Sequence, residues 1–221
     1  MFCTRSYAVG ADTDTVTKAS LKPTRKRWDE ALSYIASQPT LVDIVVSGGD
    51  SYYLSPEHLA QIGERLVAMP NIRRFRFASK GLAVAPTRIL DASDGWTDAL
   101  VHVSDVARRA GKGMAVHTHF NHPSEISWIT RQASRKLLEK GVTVRNQTVL
   151  LRGVNDDFET MSKLIRELAD NNISPVSPPS LHTPFLASYP SKPPTRCKKA
   201  SVAHTDLVRS TTSTNATWSR R

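Results

Sequence analysis

Cysteine is scarce in this sequence, and the two cysteines present, Cys3 and Cys197, lie at opposite ends of the 221 residues. They form neither a C-x-x-C pair nor a set that could cross-link a small domain, which excludes a disulfide-stabilised secreted scaffold. No run of about 18 apolar residues occurs, so no membrane span is predicted. The first residues also lack the basic start and apolar stretch of a signal peptide, and we therefore expect a cytoplasmic protein.

Acidic residues are few towards the C-terminus, and this imbalance produces most of the formal net charge of +10. From Val176 onward, seven lysines and arginines accompany a single acidic residue, Asp206. The rest of the chain is therefore only weakly basic, as is common for a soluble domain. Because basic charge in a low-complexity tail is typical of solvated chain, we do not predict nucleic-acid binding.

The composition divides the chain at about residue 175. With 39% hydrophobic and 23% charged residues, the sequence fits a soluble globular protein, and we predict one domain over residues 1–175. Residues 176–221 hold eight serines, seven threonines and six prolines without a sustained period. Such a segment cannot bury enough apolar surface to offset the entropy of ordering, so we predict a disordered tail.

Short apolar runs alternate with amphipathic segments between Thr24 and Pro175. The runs, which predict buried strands, are Asp43–Val46, Phe75–Ala78, Met114–Phe120 and Val142–Leu150, with a fifth beginning near Ile173. Apolar residues at helical spacing follow each run, and Trp28, Leu32 and Ile35 mark an earlier helix. Strands that alternate with helices predict an α/β fold with a parallel sheet. An open doubly wound sheet and a partial barrel both fit this pattern.

Polar segments occur where three of these strands end, which is where both architectures place their chemistry. Ser47–Asp50 is a glycine turn; it could bring backbone N–H groups to an anion, although a plain tight turn is the commoner explanation. Asn146–Thr148 could contact a ligand or make structural hydrogen bonds. The loop Arg152–Asp156 is interpreted as structural, with a helix N-cap at Asn155 or Asp156.

The densest polar segment contains three histidines, His117, His119 and His122. The first two point to the same side of a strand, and with the third they could bind zinc or iron as in barrel hydrolases. The alternative, which we favour, is a hydrogen-bonded polar strand end. Barrel metal sites usually recruit a carboxylate or lysine from later strands, and none is evident in the sequence.

Taken in order and spacing, these segments resemble one known family. The segments are Val45–Asp50, then His117–Pro123, then Asn146–Asp156. They resemble the lysine 2,3-aminomutase family of radical S-adenosylmethionine enzymes, and the likeness runs from Cys3 to about Pro175. The resemblance implies a partial (β/α) barrel, a [4Fe-4S] cluster, S-adenosylmethionine and pyridoxal phosphate. It also implies an isomerase that moves an amino group between neighbouring carbons of an amino acid, through a radical made from S-adenosylmethionine.

The resemblance assigns roles to individual residues. Cys3 is similar to the third cysteine that binds the cluster, and Arg5 to the arginine that pairs with the substrate carboxylate. The residues that resemble contacts to S-adenosylmethionine are Ser47, Gly48, Gly49, Asp50, His119 and Gln147. His117 is a departure, because the family usually has asparagine there.

Other parts of the family pattern have no counterpart in the sequence. Two cluster cysteines and the pyridoxal lysine are missing, so we expect a gene product truncated at both ends and inactive as it stands. The implied partners are an amino-acid substrate, lysine, and an external electron donor; assembly into a homo-oligomer stays open. The competing hypotheses are a metal-dependent hydrolase using the three histidines and a non-catalytic protein that binds a partner through residues 176–221.

Overall fold

The computed structural model describes residues 25–176. Cys3, Arg5 and residues 177–221 lie outside the described residues, so the predictions made for them are not addressed below. Among residues 25–176, no helix is both long and apolar enough to cross a membrane.

Five strands alternate with helices along the described chain. The strands are β1 (Asp43–Val46), β2 (Arg74–Ala78), β3 (Gly113–Thr118), β4 (Thr143–Gln147) and β5 (Ile173–Val176). The helices are α1 (Arg25–Ser37), α2 (Pro56–Ala68), α3 (Gly81–Val84), α4 (Thr87–Leu90), α5 (Trp96–Arg109), α6 (Trp128–Glu139) and α7 (Phe158–Asp170). Two short 3₁₀ helices, Ser51–Tyr53 and Pro123–Glu125, lie in the loops after β1 and β3.

The sheet is parallel throughout, and its strands follow the chain order β1-β2-β3-β4-β5. Right-handed crossovers between strands in sequential order place every connecting helix on the same face of the sheet. In a doubly wound sheet the strand order reverses at one point along the chain. The uninterrupted order seen in the structure therefore excludes that arrangement and indicates a partial (β/α) fold. The five described strands do not close into a barrel.

The hydrophobic core lies on one face of this sheet. Alternate strand residues, among them Phe75, Phe77, Val116 and Val144, form a single buried cluster with apolar residues of the helices. The intervening residues face the other side and are mostly exposed or half-buried. The opposite face carries a different set of side chains, many of them charged.

Local sequence signals explain where the helices begin and end. The Ser55 side chain accepts a hydrogen bond from the backbone N–H of His58, and Pro56 occupies the first turn of α2. Gly111 and Gly141 follow α5 and α6 with φ of 68° and 71°, in the left-handed region that glycine adopts at little cost. Each glycine turns the chain directly into the next strand.

The structure differs from the sequence prediction in four details. Strand β3 ends at Thr118 and not at Phe120. Strand β4 ends at Gln147 rather than Leu150, because the side chains of Asn146 and Asn155 replace the strand hydrogen bonds beyond that point. The N-cap of α7 is Asp157, whose side chain accepts from the N–H of Thr160, and not Asn155 or Asp156. The single-turn helices α3 and α4 were not predicted.

Candidate functional site

The loops that follow β1 and β2 are joined by a carboxylate. Asp50, the last residue of the glycine turn, accepts hydrogen bonds from the backbone N–H of Tyr52 at 2.8 Å and of Lys80 at 2.8 Å. The first bond caps the 3₁₀ helix after β1, and the second reaches the loop after β2. Because both oxygens are engaged with backbone donors, Asp50 positions these two loops.

Lys80 extends the connection to the third strand. Its Nζ donates to the backbone oxygen of His119 at 3.2 Å and to Oε1 of Glu125 at 2.8 Å. Oε2 of Glu125 accepts from the backbone N–H groups of Asn121 and His122. Burial would raise the pKa of Glu125, but the hydrogen bonds from Lys80 and from these N–H groups outweigh it and lower that pKa.

His119 then connects the loop after β3 to the end of β4. Its Nδ1 lies 2.6 Å from the backbone oxygen of Gln147, and since a carbonyl only accepts, Nδ1 carries the proton. Nε2 accepts from the side-chain amide of Asn121 at 3.2 Å. Burial lowers the pKa of His119. The ring is therefore a neutral imidazole with a fixed tautomer near pH 7.

One continuous set of hydrogen bonds thus crosses four strand ends. It runs from the Asp50 carboxylate through the backbone and side chain of Lys80 to the backbone of His119, and from the His119 ring to Gln147. The predicted cofactor contacts of the second half of the chain, His119 and Gln147, are directly bonded to each other. The glycine turn reaches them through Lys80.

The glycine turn itself is open. Ser47, Gly48 and Gly49 are exposed, and Gly48 and Gly49 have φ of 140° and 151°, which residues with a side chain rarely adopt. A Cβ atom on Gly49 would meet no atom within 4 Å. The glycines are therefore required by the backbone conformation, and they leave the main chain accessible to a bound molecule.

Three buried asparagines shape the loops after β3 and β4. Asn146 bonds both the N–H and the oxygen of Phe120, Asn121 accepts from the N–H of Val149, and Asn155 donates to the backbone oxygens of Asn121 and Val149. Asn146 and Asn155 are fully buried. The two explanations left open for Asn146 are therefore resolved in favour of structural hydrogen bonds.

The three histidines have separate environments. The His122 ring caps the 3₁₀ helix Pro123–Glu125 by accepting from the N–H of Ser124, and His119 bonds Gln147 and Asn121. His117 lies on the sheet face away from the core. Within residues 25–176, no group of three histidines, cysteines or acidic residues could hold a metal ion.

Comparison with known proteins gives a consistent result. The L-lysine 2,3-aminomutase of Escherichia coli (strain K12) is 36% identical over 151 residues, which are 68% of this chain and 41% of that protein. Those of Fusobacterium nucleatum subsp. nucleatum and Clostridium subterminale are 32% and 33% identical over 173 residues, 78% of this chain and 36% and 37% of theirs. The matched part of this chain belongs to the lysine 2,3-aminomutase family. No protein-family model matches the chain.

The chain spans about two fifths of the length of these aminomutases. Within the shared part, the family resemblance had already indicated the glycine turn, His119 and Gln147, and the structure places all of them at the same edge of the sheet. Sequence reasoning missed Lys80 and Glu125. A signal existed, because Ser79-Lys80 follows β2 directly and polar residues after a parallel strand are site candidates.

Proposed function

We propose that residues 25–176 are the S-adenosylmethionine-binding part of a radical isomerase of the aminomutase type. The observation that carries this proposal is the hydrogen-bond chain from Asp50 through Lys80 and His119 to Gln147. This chain of hydrogen bonds holds three segments together at one edge of the sheet. They are the segments that resemble the S-adenosylmethionine contacts of the family. The carboxyl ends of parallel strands are where this architecture binds its ligands.

The described residues have the chemistry that such a ligand needs. The exposed backbone of Gly48 and Gly49 can approach the polar end of the cofactor closely, since no Cβ intervenes. Gln147 is exposed at the end of β4 and offers an amide donor and acceptor. His119, neutral and held in one tautomer by Gln147 and Asn121, places no second positive charge beside the sulfonium.

The other cofactors are proposed from the family. A [4Fe-4S] cluster, S-adenosylmethionine and pyridoxal phosphate together supply the radical chemistry by which the amino group migrates. Residues 25–176 hold no group of cluster ligands, and we assign Cys3 to the cluster and Arg5 to the substrate carboxylate. By the names of its relatives, the substrate would be L-lysine and the protein an isomerase, supplied by an external electron donor.

Nuclear magnetic resonance on the ¹⁵N-labelled 221-residue chain tests the binding proposal without requiring the cluster. We expect S-adenosylmethionine to shift the amide signals of Gly48, Gly49, His119 and Gln147. Replacement of Gln147 by alanine should weaken binding at least fivefold, whereas Gln132→Ala, on an exposed position of α6, should leave it unchanged. Shifts confined to other parts of the chain, or equal affinities in both variants, would contradict the proposal.

A chimaera tests the isomerase activity. Residues 25–176 would replace the matching segment of the E. coli lysine 2,3-aminomutase, which provides the remaining residues of that enzyme. We expect formation of β-lysine from L-lysine under anaerobic reducing conditions, and its loss with Gln147→Ala in the same chimaera. A folded chimaera that binds S-adenosylmethionine but is inactive would refute the activity while leaving the binding site in place.

A further inference from the structure

The sheet face opposite the core carries arginines that the proposed function does not use. Arg74 and Arg76 on β2 and Arg145 on β4 all alternate with buried residues and therefore project to this face. They flank β3, which contributes Gly113 and Ala115 on the same face. Since neighbouring strands lie about 4.8 Å apart, the two arginine-bearing strands are separated by about 10 Å.

The small residues of β3 leave space between these arginines. A cavity of about 140 Å³ lies above Gly113 and Ala115, and its walls include Arg74, Arg76 and Arg145. Thr143, exposed on β4 beside Ala115, adds a hydroxyl to the same wall. A shallow depression with arginines on two sides and a hydroxyl on the same strand as Arg145 suits an anion.

Among residues 25–176, the positive charge of this face is only partly balanced by carboxylates. Asp43 on β1 pairs with Arg74 at 2.7 Å and with Arg76 at 3.3 Å through the same oxygen. One carboxylate thus serves two guanidinium groups. No carboxylate from residues 25–176 forms an ion pair with Arg145, and Asp43 lies three strands away, about 14 Å across the sheet.

The neighbouring histidine, His117, lies close to Arg76 and Arg145 and is also within reach of the opposite charge of Asp43. His117 is the direct partner of Arg145 across β3 and β4 and projects to the same face. Burial first, and then the positive charges of Arg76 and Arg145, lower the pKa of His117 to about 4. Both guanidinium groups therefore act on the same small region.

We propose that Arg76, Arg145 and Thr143 form a binding site, above Ala115, for the anionic group of a small molecule. The group is a phosphate or a carboxylate, since the planar guanidinium pairs with two oxygens of either. The cavity is smaller than the roughly 300–1,000 Å³ of sites that enclose a whole drug-sized ligand. It therefore holds one anionic group, with the rest of the molecule extending along the same face of the sheet.

Isothermal titration calorimetry of the 221-residue chain with inorganic phosphate and, separately, with succinate tests this site. We expect one saturable site in the calorimetric titration. In NMR spectra of the ¹⁵N-labelled chain, the same anion should change the chemical shifts of the amides of Gly113, Ala115 and Thr143. Arg145→Gln should weaken binding at least fivefold. Ala115→Leu, which fills the cavity and keeps every arginine, should do the same.

The matched control is Arg109→Gln, which removes the same charge from an exposed position at the end of α5. It should change the affinity less than twofold. Tighter binding of phosphate assigns the site to a phosphorylated molecule, and tighter binding of succinate assigns it to a carboxylate. Equal weakening by Arg145→Gln and Arg109→Gln, or no saturable binding of either anion, would overturn the proposal.

These measurements use neither S-adenosylmethionine nor iron. The anion site can therefore fail while the proposed cofactor site stands, and the reverse also holds. Shifts at Gly48 and Gln147 report one site, and shifts at Ala115 and Thr143 report the other.

Discussion

Buried side-chain amides replace missing backbone partners in the loops after β3 and β4. Asn146 is fully buried, and its amide accepts from the N–H of Phe120 at 2.6 Å and donates to the oxygen of the same residue at 3.0 Å. The loop is irregular there, so no neighbouring strand could satisfy these two backbone groups. An asparagine within an apolar strand therefore marks the position where regular pairing stops.

Asn146→Ala should destabilise the protein more than a surface change does. The substitution leaves the buried N–H of Phe120 without its partner, whereas the oxygen of Phe120 still accepts from Oγ1 of Thr148 at 3.1 Å. One unsatisfied buried N–H costs about 1–3 kcal/mol of unfolding free energy. Urea denaturation followed by circular dichroism measures the loss. Gln132→Ala, which removes an exposed amide from α6, should stay within about 0.5 kcal/mol of the wild type. Similar small effects of both changes would contradict the structural role.

His117 should make the protein sensitive to acid. Its pKa is about 4 in the folded chain, against an ordinary value near 6.5, so the unfolded chain binds the proton more tightly. The stability associated with the neutral ring is complete above about pH 6.5 and is lost as the pH falls towards 4. His117→Asn removes the titrating group. We expect its urea midpoint to fall less than that of the wild type between pH 6.5 and 4.5; parallel curves would refute this.

Helices α2 and α5 approach so closely that one position between them requires glycine. A Cβ atom on Gly63 would lie 2.4 and 2.6 Å from the two γ-carbons of Val103. Alanine is a better helix former by about 1 kcal/mol, but a clash of this size in a packed core costs more. We therefore expect Gly63→Ala to lower the unfolding free energy by about 1–2 kcal/mol in equilibrium urea denaturation.

A double-mutant cycle separates the clash from other effects of that change. Val103→Ala removes both γ-carbons, so Gly63→Ala should cost at least 0.5 kcal/mol less in the Val103→Ala background than alone. Equal costs in both backgrounds would show that the two side chains do not interact. The cycle is self-controlled, since each substitution is measured with and without the other.

The long elements could be predicted from the sequence because each has a clear period. The stripe of Leu59, Ile62 and Leu66 predicted α2, and the short apolar runs predicted five strands in the correct places. Helices α3 and α4 have four residues each, which is too short for a 3.6-residue period to show. Strand order was open as well, since a period indicates which residues are buried but not which strand lies beside which.

The candidate site was only partly visible for a related reason. The family resemblance indicated the glycine turn, His119 and Gln147. The role of Lys80 depends on atoms of residues 30 to 40 positions away, namely the side-chain carboxylate of Asp50, which accepts from its backbone N–H, and the backbone oxygen of His119, which accepts from its Nζ. Contacts between side chains and distant backbone leave no pattern in a single sequence. The sequence likewise did not indicate that the arginines of β2 and β4 share the face opposite the core, because this depends on the strand register.

At the scale of the whole molecule, the sequential strand order places the helices on one face of the sheet and leaves the strand ends and the other face for polar residues. One face is occupied by the hydrophobic core and supplies stability, while the strand ends and the opposite face carry polar and charged groups. The strand-end loops are connected to one another by the hydrogen bonds that pass through Lys80. We therefore expect this edge of the sheet to behave as one cooperative unit with lower local stability than the core.

Hydrogen exchange in Lys80→Met tests that cooperativity. The substitution keeps the aliphatic stem but removes the Nζ bonds to His119 and Glu125, so the loops after β1, β3 and β4 should all exchange faster, while amides in the centre of β2 and β3 keep wild-type rates. Lys112→Met is the matched control, because that lysine bonds the backbone oxygen of Met69 at the opposite end of the sheet. Faster exchange limited to the immediate neighbours of Lys80 would show independent loops. In that case the glycine turn and Gln147 would have no common support, since the bonds through Lys80 are what connect them across the edge.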